Sequence, residues 1–301
     1  MLKERDRFDK KIKSLGFEPL WAETSQFLNQ DQCLSLVGDI DGWLAGDDQI
    51  TETVLAKAIP QLKIISKWGT GVDSIDLDAA KKLGVQVANS PAAFAQAVSE
   101  VAIYFILSLS RHLVTIDRQI RSGSWPKYQG RELSGAQLGI IGFGAIGQKI
   151  ADLASAFGMN ICFYDICQKS DIHREGKFFK YSDLNSLAQE SDFICLACNY
   201  NNDNHHMING DFLKMMKQSA FLINVARGAL IDEKALIDAL HNKYIAGAGL
   251  DVFEIEPLSK DNPLLEMDNV ILGSHNANNG YLAVEAVHEN TLQNLVKVLS
   301  Q

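Results

Sequence analysis

Short apolar runs alternate with amphipathic segments along most of the chain. From Leu138 onward the runs are LGIIGF, NICFYD, FICLAC, AFLINVA, IAGAGLD and NVILGS. Runs of this length that are apolar at nearly every position predict strands buried on both faces, the signature of a parallel sheet covered by helices on each side. The first part of the chain repeats the theme: GWLAG, LKIISKW and VQVANS read as strands, with helices over Thr51–Ile59 and Leu77–Leu83 between them. Between the two regions, Ala92–Arg121 (ending AVSEVAIYFILSLSRHLVTIDRQIR) predicts one long helix, closed by Gly123, Trp125 and Pro126. It would serve as connector and hinge, its apolar stripe as core or subunit interface, and His112 within it as a structural residue. The expectation is two doubly wound α/β domains, which the length of 301 residues accommodates.

Composition narrows the field. Apolar residues make up 47% and charged residues 22%, ordinary for a globular α/β protein. A net charge of -9 argues against nucleic acid, since phosphate binding needs a basic face. No apolar run is long enough to span a bilayer, and MLKERDRFDKKIK carries no apolar stretch after its charges, so neither membrane nor secretion is expected and the location read is cytoplasmic. The five cysteines then read as reduced thiols. Cys195 and Cys198 form a C-x-x-C, but no second ligand pair follows and no metal is expected. His205-His206 are adjacent, so their side chains should point apart; they read as polar residues leading into a helix.

Chemistry enters with Gly142-Phe143-Gly144-Ala145-Ile146-Gly147, a G-x-G-x-x-G that follows a predicted strand and opens a predicted helix over Ile146–Phe157. Gly142 permits the tight turn, Gly144 lets backbone approach a pyrophosphate, and Gly147 lets helix pack on strand. The first helical residues, Ala145 and Ile146, would present N–H groups and the positive end of the helix dipole to phosphates. Asp165 ends the next strand, 18 residues after Gly147. A carboxylate there accepts from both ribose hydroxyls and repels a 2′-phosphate, which favours NAD over NADP. Three further features follow strand-like runs: Arg227 in INVARGALIDEKAL, Asp251 and Glu256 in GLDVFEIEP, and His275 in NVILGSHN. Ligands bind beyond the carboxyl ends of strands in open α/β sheets, so these residues are expected to converge.

Taken with LKIISKWGTGVDSID, VANSP and RHLVTIDRQIRSGSW, these segments resemble the D-isomer-specific 2-hydroxyacid dehydrogenase family over nearly the whole chain. The resemblance implies a flavodoxin-like substrate domain (1–97 plus 282–301) and a Rossmann NAD-binding domain (98–281). It implies Arg227, Glu256 and His275 as the catalytic trio, with Ala226 and Asp251 at the cofactor. Hydride transfer to a ketone leaves charge on oxygen, and imidazole is suited to supply the proton there. A carboxylate on the other ring nitrogen orients the ring, while an arginine grips carboxylate and carbonyl oxygens. The loop Lys67–Gly71 would hold the substrate carboxylate through Trp68, Gly69, Thr70 and Gly71. The expected reaction interconverts a small D-2-hydroxy acid and its 2-keto acid with NAD, in a homodimer. SKWGTGVDSID is nearest the phosphoglycerate branch. The alternative is an NAD(H)-sensing binding protein on the same fold.

Four departures from the family pattern carry expectations. Relatives begin with a strand of the type ILVT, whereas this chain starts at a charged helix; two strands of the substrate domain are therefore expected to lack a ladder partner. The usual proline-bearing loop near adenine reads Cys198–Asn204 here, which should be more polar and less rigid. The usual T-P-H is Gly273-Ser274-His275, followed by Asn276, Asn278 and Asn279, whose amides could meet a polyhydroxylated or phosphorylated substrate. Phe94 stands where relatives often carry Asn and would narrow or dry the substrate cleft.

Overall fold

The computed structural model describes residues 1–24 and 27–300. The chain divides into two compact units, Met1–Phe94 with Gly280–Gln301, and Ala95–Asn279.

The first unit opens with α1 (Arg5–Ser14) and α2 (Gln30–Leu36), followed by β1 (Gly42–Ala45), α3 (Glu52–Ala58), β2 (Ile64–Lys67), α4 (Leu77–Leu83) and β3 (Gln86–Ala88). The three strands form a parallel sheet in the order β1-β2-β3. Asp76 caps α4 through the Ala79 N–H, and Gly84 ends it in the left-handed region at φ +76°. The C-terminal helix Tyr281–Leu299 lies on β1 and β2. A Cβ on Gly42 would come within 2.9 Å of Leu295, so glycine is what lets the helix seat on that strand. α1 packs Phe8 and Ile12 against Leu292. β2 is paired on both sides, and among the described residues β1 and β3 each have one ladder partner.

The second unit begins with α5 (Ala95–Arg111) and α6 (Leu113–Arg121). The single long helix expected here is two. His112 takes φ +55°, and the axes bend by 67° across it, because a left-handed residue cannot continue a right-handed helix. There follow β4 (Gln137–Ile141), α7 (Ala145–Ala156), β5 (Asn160–Tyr164), β6 (Ile172–Arg174), β7 (Lys177–Tyr181), α8 (Leu184–Glu190) and β8 (Phe193–Leu196). α9 (Gly210–Met215), β9 (Phe221–Asn224), α10 (Glu233–His241), β10 (Gly247–Leu250) and β11 (Val270–Leu272) complete the unit. Its eight strands run β11-β10-β9-β8-β4-β5-β7-β6, all parallel except β6. Leu222 and Leu250 join the core with α9 and α10, whereas a Cβ on Gly249 would point at Phe105 of α5 at 2.7 Å. The sheet is thus wound on both faces, as its apolar strands require. Successive connections run one way from β4 to β5 and the other way from β8 onward. The switch point of the topology therefore lies between β4 and β8, where such sheets bind ligands. Among the described residues no single helix is long and apolar enough to cross a membrane.

Candidate active site

Three loops leave the carboxyl ends of β4 and β5 and the turn after β8. In the first, Gly142 adopts φ +93°, and a Cβ on it would lie 2.5 Å from the Cys198 backbone. Gly147 packs so closely that its Cβ would meet the Gly142 carbonyl at 2.1 Å. Both glycines are demanded by the protein itself. Gly144 differs: it has an ordinary φ of -72°, and a Cβ there would touch nothing within 4 Å. The room above it is unclaimed by protein, at the N-terminus of the twelve-residue helix α7, which has no side-chain cap. A pyrophosphate fits that donor set and that space.

Asp165 follows β5. One of its oxygens accepts from Phe143 N at 2.7 Å, the other from Cys167 N at 2.8 Å and Gln168 N at 3.1 Å. Burial opposes its charge, but the three N–H donors outweigh burial and hold the carboxyl below the usual aspartate range. The residue therefore ties the glycine loop to β5 and keeps an ionised carboxylate beside it. Cys195 and Cys198 lie at the end of β8 as free thiols, pushed up by burial to about 12 and about 11 respectively, which makes them inert. The Asn199–Asn204 loop is polar, but it is not loose. Asn201 accepts from the Asp203 and Asn204 N–H groups while Asn204 accepts from Asn201 N at 2.8 Å, a reciprocal closure that replaces proline as the stiffening element.

Arg227, Glu256 and His275 come from three consecutive strand ends of the same sheet. Buried Asn224 shapes the first turn: its Oδ1 accepts from Ala226 N at 3.0 Å and its Nδ2 donates to the Arg227 carbonyl at 2.8 Å. The Arg227 guanidinium donates to the Ala226 carbonyl at 2.9 Å. Glu256 Oε2 meets His275 Nδ1 at 2.7 Å, while Oε1 accepts from Phe253 N at 3.0 Å. Burial pushes the Glu256 carboxyl up, but the bonds from His275 and Phe253 and the nearby charge of Arg227 prevail and hold it below the usual glutamate range. An ionised carboxylate on Nδ1 fixes the ring's orientation.

His275 itself sits at φ +55°, a conformation that costs about 1 kcal/mol or more in a non-glycine residue. Asp251 holds it there. The Asp251 carbonyl accepts from His275 N at 2.6 Å, and its carboxylate takes the N–H groups of Asn276 (3.1 Å) and Ala277 (2.8 Å). Asp251 is only 3% exposed, so its visible work is to support the histidine loop. The amides of Asn276 and Asn279 bond to each other at 2.9 Å.

In the first unit, Lys67 is buried and pairs with Asp47 at 2.9 Å. Gly69 takes φ +125°, Thr70 Oγ1 donates to the Ser90 carbonyl at 3.1 Å, and Asn89 Nδ2 donates to the Thr70 carbonyl at 2.6 Å, so the Trp68–Gly71 loop is held firmly. Phe94 is buried against the Trp68 ring, centroids 5.5 Å apart.

Sequence reading missed Asn224, Asp251's supporting role and the pair formed by His206 and Glu254. Only the β-strand end positions of the first two hinted at them. His205 and His206 do not lead into a helix; Asn209 caps α9, and the two rings stack with centroids 3.8 Å apart rather than diverging, because His206 takes φ +53°.

A family model described as "D-isomer specific 2-hydroxyacid dehydrogenase, NAD binding domain" matches residues 103–277. A glyoxylate reductase of Thermococcus onnurineus is 35% identical over 92% of this chain and 85% of its own. A hydroxypyruvate reductase of Thermotoga maritima is 37% identical over 84% of this chain and 82% of its own. The D-lactate dehydrogenase of Aquifex aeolicus, solved with NAD and lactic acid, superposes with a TM-score of 0.86 at 31% identity over 99% of this chain and 92% of that one. The chain belongs to the D-isomer-specific 2-hydroxyacid dehydrogenase family: it is an NAD-dependent oxidoreductase, and NAD is its cofactor.

Proposed function

We propose that this enzyme reduces a small 2-keto acid, of glyoxylate to hydroxypyruvate size, to the D-2-hydroxy acid. The observation that carries the reading is the Glu256–His275 contact at 2.7 Å beside the Arg227 turn. NADH, when bound, would supply a hydride for C2 of the keto acid. His275 donates the proton from Nε2 to the C2 oxygen as negative charge develops there, and Glu256 stabilises the imidazolium beforehand. Arg227 binds the carboxylate and polarises the carbonyl. Gly142, Gly144, Ala145, Ile146 and Gly147 receive the pyrophosphate, Asp165 the ribose hydroxyls, and Ala226 and Asp251 border the nicotinamide. Residues Trp68–Gly71 hold the substrate carboxylate, and Phe94 backs that loop. Residues 1–97 with 282–301 are assigned to the substrate domain and 98–281 to the NAD domain.

The substrate range draws support from the glyoxylate and hydroxypyruvate reductases among the relatives. A phosphoglycerate-like acid, favoured by SKWGTGVDSID, is the second candidate. The protein is proposed to be a cytoplasmic homodimer, and the groove between α5 and α6 lined by Ile103, Tyr104, Leu107 and Leu113 offers an apolar face for a second copy.

Steady-state assays with NADH and glyoxylate, hydroxypyruvate, 3-phosphohydroxypyruvate and pyruvate would rank the substrates. His275→Gln is expected to lower kcat by roughly a hundred- to ten-thousand-fold while leaving NADH affinity nearly unchanged. Tight NADH binding without turnover of any acid would replace the reading with an NAD(H)-sensing role.

A further inference from the structure

The segment that carries His206 bonds both to the turn that follows Arg227 and to the segment that leads to Glu256. His206 N donates to the Ala229 carbonyl at 2.9 Å, two residues past Arg227, and Ile208 N donates to Leu230 at 3.0 Å. The His206 ring meets the Glu254 carboxylate through Nε2. Glu254 in turn lies two residues before Glu256, and its N–H donates to Glu233 at 3.3 Å. Gly228 closes the arrangement: a Cβ on it would fall 1.9 Å from the Phe253 carbonyl carbon and oxygen, so the Arg227 turn and the Phe253–Glu254 backbone are in direct contact. The next N–H, that of Phe253, is the one Glu256 accepts.

We propose that His206 is a positioning residue: it clasps Glu254 with its ring and the Arg227 turn with its backbone, and so fixes Glu256 against His275. The proposal rests on the catalytic roles assigned above, but the geometry it concerns exists without turnover. Three observations favour a built device over a chance surface pair. His206 spends a left-handed conformation to reach both partners, at φ +53°. Its ring is sandwiched on the other side by His205, which is itself held by Tyr200 Oη at 3.3 Å. The pair is only about one-third exposed on each side, at 35% and 30%. Outer partners of this kind act by orienting the group that touches the substrate, and loosening one displaces a reacting group by a fraction of an ångström.

The test uses the full chain and four variants. His206→Asn keeps a residue that tolerates the left-handed region but is too short to reach Glu254; His206→Gln restores reach and a donor; Glu254→Ala removes the acceptor from an otherwise unaltered His206; the fourth combines His206→Asn with Glu254→Ala. With NADH and the best keto acid, His206→Asn and Glu254→Ala are expected to lower kcat about tenfold with NADH affinity within about twofold. His206→Gln should recover most of the loss, and the double variant should be no slower than the slower single one. An independent reading comes from ¹³C-glutamate NMR, in which the Glu256 carboxyl, assigned through Glu256→Gln, should titrate at higher pH in His206→Asn than in the wild type. An unmoved Glu256 titration, or additive losses in the double variant, would overturn the clasp. If no keto acid is turned over and the Glu256 titration still moves, the catalytic reading fails and the clasp stands. If His206→Asn does not fold, Glu254→Ala carries both readouts.

Discussion

A single half-buried carboxylate shows how the site is wired. Glu256 faces burial, which opposes its charge, and the contacts from His275, Phe253 N–H and Arg227, which favour it. Its folded-state pKa lies below its unfolded one. The stabilisation is therefore fully present above the unfolded value and is lost as pH falls through the folded one. Urea midpoints measured from pH 7 to pH 3 should decline more steeply for the wild type than for Glu256→Gln, by on the order of 1 kcal/mol across the acid limb. Parallel declines would mean that the native contacts do not favour the charged form. Asp165 gives a second residue-scale expectation, sharpened by the structure. It bonds three backbone N–H groups, so Asp165→Asn sets an amide against donors and loosens the glycine loop while removing the charge that repels a 2′-phosphate. Loss of one charge-assisted bond is worth ~1.5–3 kcal/mol, so NADH affinity should fall about tenfold or more. The preference for NADH over NADPH should narrow at the same time. An unchanged preference in kcat/KM would remove Asp165 from the ribose site.

At the scale of elements, the three glycines of the loop separate structural from ligand demands. Gly142→Ala and Gly147→Ala place a methyl group 2.5 and 2.1 Å from backbone and should each destabilise the second unit by about 2 kcal/mol or more, visible as a lowered Tm. Gly144→Ala meets no protein atom and needs no unusual φ. Its Tm should stay within about 2 °C of the wild type while NADH binding collapses, since the methyl group fills the phosphate's place. A Gly144→Ala protein with intact NADH affinity would refute the pyrophosphate assignment. These positions were legible in the sequence because glycines at this spacing, set between an apolar strand and a helix, answer a specific backbone demand. So were the six strands from β4, β5 and β8 to β11, whose unbroken apolar runs reflect burial on both faces. The β6–β7 hairpin was not legible: KFFKY sets two adjacent phenylalanines between lysines with no apolar alternation, and only Phe179 is fully buried. The break between α5 and α6 was equally hidden. His112 carries no helix-stopping chemistry of its own, and the apolar period continues past it. His206 and Glu254 are 48 residues apart, and no local pattern predicts a pairing that depends on one residue's left-handed backbone.

For the molecule as a whole, the two units differ in how the chain builds them. The first takes its helix Tyr281–Leu299 from the far end of the sequence, where Ser66 Oγ donates to the Thr291 carbonyl at 2.8 Å across 225 residues. The second is one continuous stretch, Ala95–Asn279, with an eight-stranded sheet and its own core under α8, α9 and α10. The glycine loop, Asp165, Arg227, Glu256, His275 and the His206–Glu254 clasp all lie inside that stretch, and its ends fall at the start of α5 and just before the cap of the C-terminal helix. A chain of that size buries enough apolar surface to fold alone. Residues 95–279 expressed by themselves should therefore unfold cooperatively in urea and bind NADH within about threefold of the full chain, since a factor of three is less than 1 kcal/mol. On the role proposed for the Trp68–Gly71 loop, which belongs to the other unit, they should not turn over a keto acid. Intrinsic fluorescence during urea titration, NADH fluorescence enhancement and a coupled assay on the same preparation would read the three properties. Failure to bind NADH would show that the cofactor site borrows its order from residues outside the stretch, whereas turnover at the full-chain rate would strip the Trp68–Gly71 loop of its assigned role and leave Arg227 as the carboxylate's principal anchor.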